Sequence, residues 1–508
     1  MGFEFRSSLD TPNLRGVPIV DEVPSGALVG LSRIGGNWVE GATRKYLQIN
    51  SPATGELVGY VSMADRSDVD AAVLAAEAAR GELVRMGHFA RAALCRRVAE
   101  IIEDRADTIA RLLAREQGKP YHNEARGEMI HAAAGFRNAG EQIKWLTTDA
   151  FPLEDANKRA FSFLQPKGIL AAITPWNFPL ALPTLYYLGP ALATGNAVVW
   201  VAAPTTSLVA VELMKCIIDA GVPDGAINLV LGEGAVVGDA AVVHPAIHSI
   251  GFTGSTVVGQ TIARRAPGKH LMLELGGNGP SLVLDDADVD LAAQEIGMGC
   301  FANAGQICTA TERILVHKSV HDRFVEGLVK VAQTRRSGDP FDPENNLGPL
   351  NNAPTLDKMN RHMEDARASG AQIVHGGNPA SGKATNLFYE PTVVTGLTDR
   401  NLLNVEESFG PVAPVLTFSD MDEALALAAS SPYGLSAALF TGSTKNAFRY
   451  AEALRVGIVN VNEKSCYWEP SIPAGGAAGS DSGLGRTGGL HTLREMCDLK
   501  TITFDIRR

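Results

Sequence analysis

The chain of 508 residues is 45% hydrophobic and 20% charged, with a formal net charge of −11 at pH 7. Such a composition belongs to a globular protein with ample core, long enough for about two to four domains. The acidic balance speaks against nucleic acid and anionic membrane surfaces as partners. The six scattered cysteines, with no C-x-x-C or Cys/His cluster, speak against a metal site.

The first residues carry charge early and no run of 18 apolar residues occurs, so neither a signal peptide nor a membrane span is expected. Sparse cysteine fits a reducing compartment, and the chain is read as cytoplasmic. Residues 1–29 show little periodicity and read as an extended arm. Residues 34–39 and 49–55 read as strand, turn, strand. Ser67 is expected to cap a helix over 68–80, followed by helices over 89–104, 106–116 and 125–145. Residues 159–164 alternate as a polar-edged strand. From 168 to 277, apolar runs at 169–173, 197–201, 227–231 and 249–252 alternate with helices such as 208–220. This is βαβ logic and predicts a doubly wound, mostly parallel sheet. A second series starts at 281–284 and includes helices over 320–334, 357–369 and 421–430 and a strand at 392–394. Residues 500–506 read as a last strand.

Two stretches carry chemistry. Phe301-Ala-Asn-Ala-Gly-Gln-Ile-Cys308-Thr309-Ala310 sets one cysteine in a small-residue loop, and Glu274 lies 34 residues upstream, before Gly276-Gly277. A cysteine in a loop is ordinarily a small buried hydrophobe, and an asparagine such as Asn177 ordinarily serves a turn. A thiolate can also attack an electrophilic carbon, and a nearby carboxylate can activate water for a second step. The glycine pair argues for a close backbone approach at Glu274. Gly254-Ser255 ends a strand and opens a helix, so its amides can meet a phosphate.

With Thr174-Pro175-Trp176-Asn177-Phe178-Pro179 and Gly251-Phe-Thr-Gly-Ser-Thr-Val-Val-Gly259 in the same order, the chain resembles the aldehyde dehydrogenase superfamily from about Arg33 to Thr503. The resemblance implies an α/β fold with two doubly wound, mostly parallel-sheet domains and a small strand-based oligomerisation extension. It implies a dinucleotide-binding domain over 30–145 and 167–276, a catalytic domain over 277–485, and oligomerisation segments at 146–166 and 486–508. The assembly would be a homodimer or homotetramer. In that family Cys308 would be the nucleophile and Glu274 the base that hydrolyses the thioester. Asn177 and the Cys308 backbone N–H would stabilise the oxyanion. NAD or NADP, with NAD slightly favoured, would be held around Thr174, Pro175, Trp176, Val201, Pro204, Gly234, Gly238, Gly254, Ser255, Gly276, Glu407 and Phe409.

Two departures bear on the cofactor. Val201 and Pro204 stand where the family commonly has a ribose-binding lysine and a glutamate, so no charge there distinguishes a 2′-hydroxyl from a 2′-phosphate. The loop over 473–486 is also longer than in relatives. The substrate tunnel is expected to be lined by Phe178, Leu182, Leu185, Ile307, Thr309, Tyr467 and Trp468. The helix after Asn177 carries no arginine to pair a substrate carboxylate, which favours an uncharged, apolar or aromatic aldehyde as the small-molecule substrate. Glu274 argues against a coenzyme-A-acylating enzyme, which would not need a water-activating acid. A non-catalytic protein on the same fold is the other alternative; Cys308, Glu274 and Asn177 argue against it.

Overall fold

The computed structural model describes residues 14–507. Its largest sheet has eight strands in the order Gly483–Leu484, His270–Glu274, Ser249–Thr253, Ile169–Ile173, Ala197–Val201, Ile227–Val230, Ser32–Ile34 and Asn37–Val39. The central five are parallel. Two of them, Ile169–Ile173 and Ala197–Val201, are unbroken apolar runs because helices cover both faces. From Ile169–Ile173 the chain winds outward through Ala197–Val201 and Ile227–Val230, then returns to Ser249–Thr253 on the other side. The winding therefore reverses between Ile169–Ile173 and Ser249–Thr253. Such a reversal opens a crevice at the carboxyl ends of the strands. Thr174 and Gly254 are the first residues beyond those two ends.

In a second sheet of seven strands, Pro280–Val283 lies between Arg313–His317 and Ser436–Phe440. All its pairings are parallel except that of the edge strand Gln372–His375. Buried clusters pack on both faces: Leu282, Leu315 and Leu439 point to one, Val283, Ile314 and Phe440 to the other. A third, antiparallel sheet joins Ala150–Phe151, Lys158–Pro166 and Cys497–Asp505.

Several elements differ from the sequence expectation for local reasons. The first helix runs Arg66–Arg85, and its cap is Asp65, not Ser67. Asp65 accepts from Ser67 N at 2.7 Å while Asp68 accepts from Asp65 N at 2.9 Å, a capping box. The segment expected as one helix over 125–145 is a π turn Tyr121–Ala125, a helix Arg126–Gln142 and a 3₁₀ turn Ile143–Trp145. The helix expected at 357 starts at Ala353, where Asn352 accepts from Thr355 N. Strands Arg313–His317, Val412–Phe418 and Ser436–Phe440 were not among the expected elements; they are short apolar runs without alternation, which periodicity does not separate from buried helix. Of the expected arm, Ile19–Val20 and Val29–Gly30 pair with Tyr46–Asn50 and Leu57–Ser62 in a four-stranded sheet, while residues 1–13 lie outside the described residues.

One buried acid fixes the helix beside the crevice. Glu116, 1% exposed, accepts from Leu208 N at 2.7 Å and Val209 N at 2.8 Å. These are amides of the first turn of Ser207–Asp219, which have no partner within the helix. Glu116→Ala should orphan both, lowering stability by about 1–3 kcal/mol per amide and shifting the urea midpoint down. Glu116→Gln, which keeps a carbonyl acceptor, should shift it less.

Candidate active site

Glu274 ends its strand, and its carbonyl accepts from Gly254 N at 3.1 Å. The two glycines that follow let three distant segments meet. A β-carbon on Gly277 would lie 2.0 Å from the Cys308 carbonyl oxygen, and one on Gly276 would lie 3.1 Å from a Glu407 carboxylate oxygen. Gly277 N donates to Glu407 Oε1 at 3.0 Å. No residue but glycine fits at 277 without moving the Cys308 backbone.

The cysteine loop is held in a conformation that side chains resist. After helix Val289–Phe301, Asn303, Ala304 and Gly305 have φ of 49°, 54° and 75°, the left-handed region. Asn303 N donates to the half-buried Glu124 at 2.7 Å. Gln306 Nε2 donates to the Asn303 carbonyl at 2.9 Å, and its Oε1 accepts from Asn351 N at 2.8 Å. Asn177 joins this frame: its Nδ2 donates to the Gln306 carbonyl at 2.9 Å, and its own carbonyl accepts from Asn303 Nδ2 at 3.1 Å. The second N–H of the Asn177 amide has no protein acceptor among the described residues.

Burial sets the electrostatics. The Glu274 carboxyl is pushed up to about 7 by burial, restrained by a hydrogen bond from Thr487 and by the charge of Arg486. Thr487 Oγ1 donates to Glu274 Oε1 at 2.9 Å. Cys308 keeps some surface at the cleft, yet the atoms packed around its sulfur push the thiol up to about 12, aided by the negative charges of Glu274 and Glu407. The resting thiol is therefore protonated at neutral pH. Glu407 is likewise raised by burial and pulled down by Lys358.

Several of the expected cofactor residues border the crevice at the reversal, among them Thr174 and Gly254 at the two strand ends. Thr174 Oγ1 accepts from Trp200 Nε1 at 2.9 Å. Ser255 precedes helix Thr256–Arg265 without a side-chain cap, so the first amides stay free for a ligand. Gly234 and Gly238 bound a π turn packed near strand Ala197–Val201. Trp176 and Phe409 meet edge to face with ring centroids 5.5 Å apart, and Phe409 itself has φ of 55°. Its N–H donates to Glu312 at 2.8 Å, as Ser408 N does at 2.6 Å. Val201 is 2% exposed and packs in the core, and Pro204 opens a 3₁₀ turn. Uncapped amides, the half-buried Glu407 carboxylate and two aromatic rings fit a pyrophosphate, a ribose and a nicotinamide.

The expected tunnel residues are only partly gathered. Phe178 is half-buried, with Lys119 Nζ 3.8 Å from its ring centroid. Leu182 is half-buried and Leu185 is buried. Ile307 and Thr309 flank the cysteine, and the Thr309 carbonyl accepts from Ser465 Oγ at 2.7 Å. Trp468 packs edge to face on Tyr186 at 5.6 Å. Tyr467 is 38% exposed and donates to Glu469.

The sequence reading missed Tyr186, Tyr187 and Thr487. The segment after Asn177 is a π turn, Pro183–Leu188, not a regular helix. Its signal was Pro183, whose missing N–H and ring disturb the ladder. The turn buries both tyrosines near Glu274 and Cys308, whose charges add to burial in raising both phenols. Tyr187 shares a 2.7 Å hydrogen bond with Thr253.

A crevice at the reversal of a doubly wound sheet is where α/β enzymes take a dinucleotide, and the residues around this one define that class. Residues 38–502 match the aldehyde dehydrogenase family, and the chain belongs to it. It is 37% identical over 480 residues to the mitochondrial succinate-semialdehyde dehydrogenase of Arabidopsis thaliana, covering 94% of this chain and 90% of that protein. It is 37% identical to retinaldehyde dehydrogenase 3 of Rattus norvegicus, covering 93% and 92%. The solved structure of an E. coli NADP dependent enzyme superposes with a TM-score of 0.91 at 34% identity, covering 94% of this chain and 98% of that one. The chain is an NAD(P)-dependent aldehyde dehydrogenase, with the α/β fold that the sequence predicts. Among the described residues no helix is long and apolar enough to cross a membrane.

Because a side chain at 277 must displace the Cys308 backbone, Gly277→Ala should cut turnover about 10²-fold, the cost of a misplacement of about 1 Å. Wild-type kcat in a folded Gly277→Ala protein would show that this contact does not set the reaction geometry.

Proposed function

We propose that Cys308 is the nucleophile, Asn177 an oxyanion donor and Glu274 the hydrolytic base in the oxidation of an uncharged, apolar or aromatic aldehyde. The observation that carries this reading is the contact of Gly277 with the Cys308 carbonyl, beside a buried acid whose pKa is raised to about 7. A bound nicotinamide dinucleotide supplies the hydride acceptor; Glu407, Trp176, Phe409 and the amides after Ser255 would hold it. The Cys308 thiol releases its proton to solvent as its sulfur bonds to the aldehyde carbon, and the carbonyl oxygen becomes an oxyanion. The free Asn177 N–H and the Cys308 N–H donate to it; losing one such donor costs about 2.7–4 kcal/mol of barrier.

Oxidation of that adduct leaves a thioester on Cys308. Water then adds to the carbonyl carbon as its proton passes to Glu274, and the carbon–sulfur bond breaks. The product is a carboxylic acid. The thiolate, whose thiol titrates far above Glu274, takes the proton back from the acid. A carboxylate near 7 is a well-matched base at neutral pH. Glu274 can accept a proton only when ionised, so hydrolysis should rise with pH through about 7, level off above it, and fall about tenfold per unit well below it.

The pocket supports an uncharged substrate. Phe178, Leu182, Leu185, Tyr186 and Trp468 bring no charge, and Lys119, beside Phe178, is 1% exposed and paired with Glu128. The name of the Arabidopsis relative speaks of an anionic semialdehyde, and that of the rat relative of an apolar one. The ribose end has neither lysine nor carboxylate at 201 and 204, so we infer a modest preference between NAD and NADP. A homo-oligomer joined through the antiparallel sheet at Lys158–Pro166 is part of the same reading; Phe161 and Leu499 there are 40% and 64% exposed.

Cys308→Ser should abolish turnover with the fold intact, since a hydroxyl is a far poorer nucleophile at neutral pH. Glu274→Gln should give one burst of reduced dinucleotide and then slow turnover. Wild-type steady-state rates in either variant would remove that residue from its role.

Across a panel of aldehydes, kcat/KM for aromatic aldehydes should exceed that for succinic semialdehyde by at least about tenfold. NAD and NADP should differ by less than about 100-fold. A preference for the semialdehyde would overturn the substrate reading, and strict use of one dinucleotide would overturn the cofactor reading.

A further inference from the structure

Glu274 is held from its far side by a single hydroxyl. Thr487 is completely buried, and its peptide is pinned on both sides: its N–H donates to the Ala474 carbonyl at 3.0 Å, and its carbonyl accepts from Ala474 N at 2.7 Å. A β-branched side chain on a fixed backbone has few rotamers, so the hydroxyl has a defined direction. It points to Glu274 Oε1 at 2.9 Å and is the one hydrogen-bond donor to that carboxylate among the described residues. Arg486, next in the chain, spends its Nη1 on the carbonyls of Gly476 and Gly485. It acts on Glu274 through charge alone.

Tyr186 is the other group whose ionisation the Thr487 hydroxyl affects. Tyr186 is buried against Trp468, and burial keeps its phenol protonated far above neutral pH. A phenol that keeps its proton can donate to Thr487 Oγ1, and Thr487, with one proton of its own, spends that proton on Glu274. Any hydrogen bond between the two hydroxyls therefore runs from Tyr186 to Thr487, because Thr487 gives its own proton to the carboxylate. The other titratable groups facing Glu274 are silent near pH 7. Cys308 and Tyr187 stay protonated there.

We propose that Thr487 is a positioning residue for the hydrolytic base: its hydroxyl, backed by the Tyr186 phenol, aims the Glu274 carboxylate and holds it ionised so that it can take a proton from water. The inference rests on Glu274 being that base. The step itself is unchanged: the water proton passes to Glu274 as the oxygen–carbon bond forms and the carbon–sulfur bond breaks. Thr487 exchanges no proton in the balance.

The test compares pre-steady-state bursts and steady-state pH profiles for the wild type, Thr487→Val, Thr487→Ser and Tyr186→Phe. Valine keeps the shape and removes the donor. Thr487→Val should keep the burst of reduced dinucleotide, while the midpoint of its steady-state profile moves up by about one pH unit, a fall of about tenfold at or below neutral pH. Thr487→Ser should restore the midpoint, and Tyr186→Phe should move it the same way by less. An unshifted midpoint in a folded Thr487→Val protein, or a serine variant that behaves like valine, overturns the proposal. If Thr487→Val fails to fold, the Tyr186→Phe midpoint decides, and no shift there overturns it. A Glu274→Gln variant that hydrolyses at the wild-type rate removes the base assignment and this proposal together. A stalled Glu274→Gln beside an unshifted Thr487→Val removes only the role of Thr487.

Discussion

The site depends on one close approach, the α-carbon of Gly277 against the carbonyl of Cys308. Glu274, Cys308 and Glu407 lie on segments separated by tens to more than a hundred residues, and a single β-carbon at that point would push them apart. The strained run at Asn303–Gly305 is the counterpart on the other side of the contact. It turns the chain out of helix Val289–Phe301 sharply enough to bring Cys308 back to the glycine pair. The cost of three successive left-handed residues, of order 1–3 kcal/mol for each non-glycine one, is offset by hydrogen bonds to Glu124 and from Gln306 and Asn177 that over-determine the loop.

The same packing sets the chemistry. No cation is bonded to Cys308 or to the Glu274 carboxylate among the described residues; both groups are tuned by desolvation, which favours their neutral forms. The effect differs in use. A thiol raised to about 12 is inert until its environment changes, whereas a carboxyl raised to about 7 is a base within reach of physiological pH. Dehydration by the protein thus raises both titrations together without a dedicated charged partner, and leaves them about as far apart as they ordinarily are.

The cleft also shows how little charge the chain spends around its ligands. Lys119, the cation beside Phe178, is neutralised by Glu128, whose other oxygen accepts from Leu180 and Ala181 N and so fixes the start of the segment after Asn177. That ion pair, 1% exposed, holds the backbone leading into the tyrosine turn. Specificity at such a pocket comes from shape and aromatic surface, since an apolar cavity discriminates by volume and contact.

Local sequence was enough for much of this. The unbroken apolar runs at 169–173 and 197–201 state that their strands are buried on both faces, because that environment excludes polar residues at every position. Gly276-Gly277 states that a backbone must come close, and Cys308, Glu274 and Asn177 stand out by motif and order. What tertiary structure decided were the properties that depend on neighbours from elsewhere in the chain. The pairing of Thr487 with Glu274 spans 213 residues and belongs to no short pattern. Tyr186 and Tyr187 reach the cleft only because Pro183 diverts a helix into a π turn, which shifts every following side chain around the axis. Val201 sits where a motif places a ribose ligand, yet packing turns it into the core. Residue type and spacing are written in the sequence; direction, burial and therefore pKa are set by what the fold packs against each group.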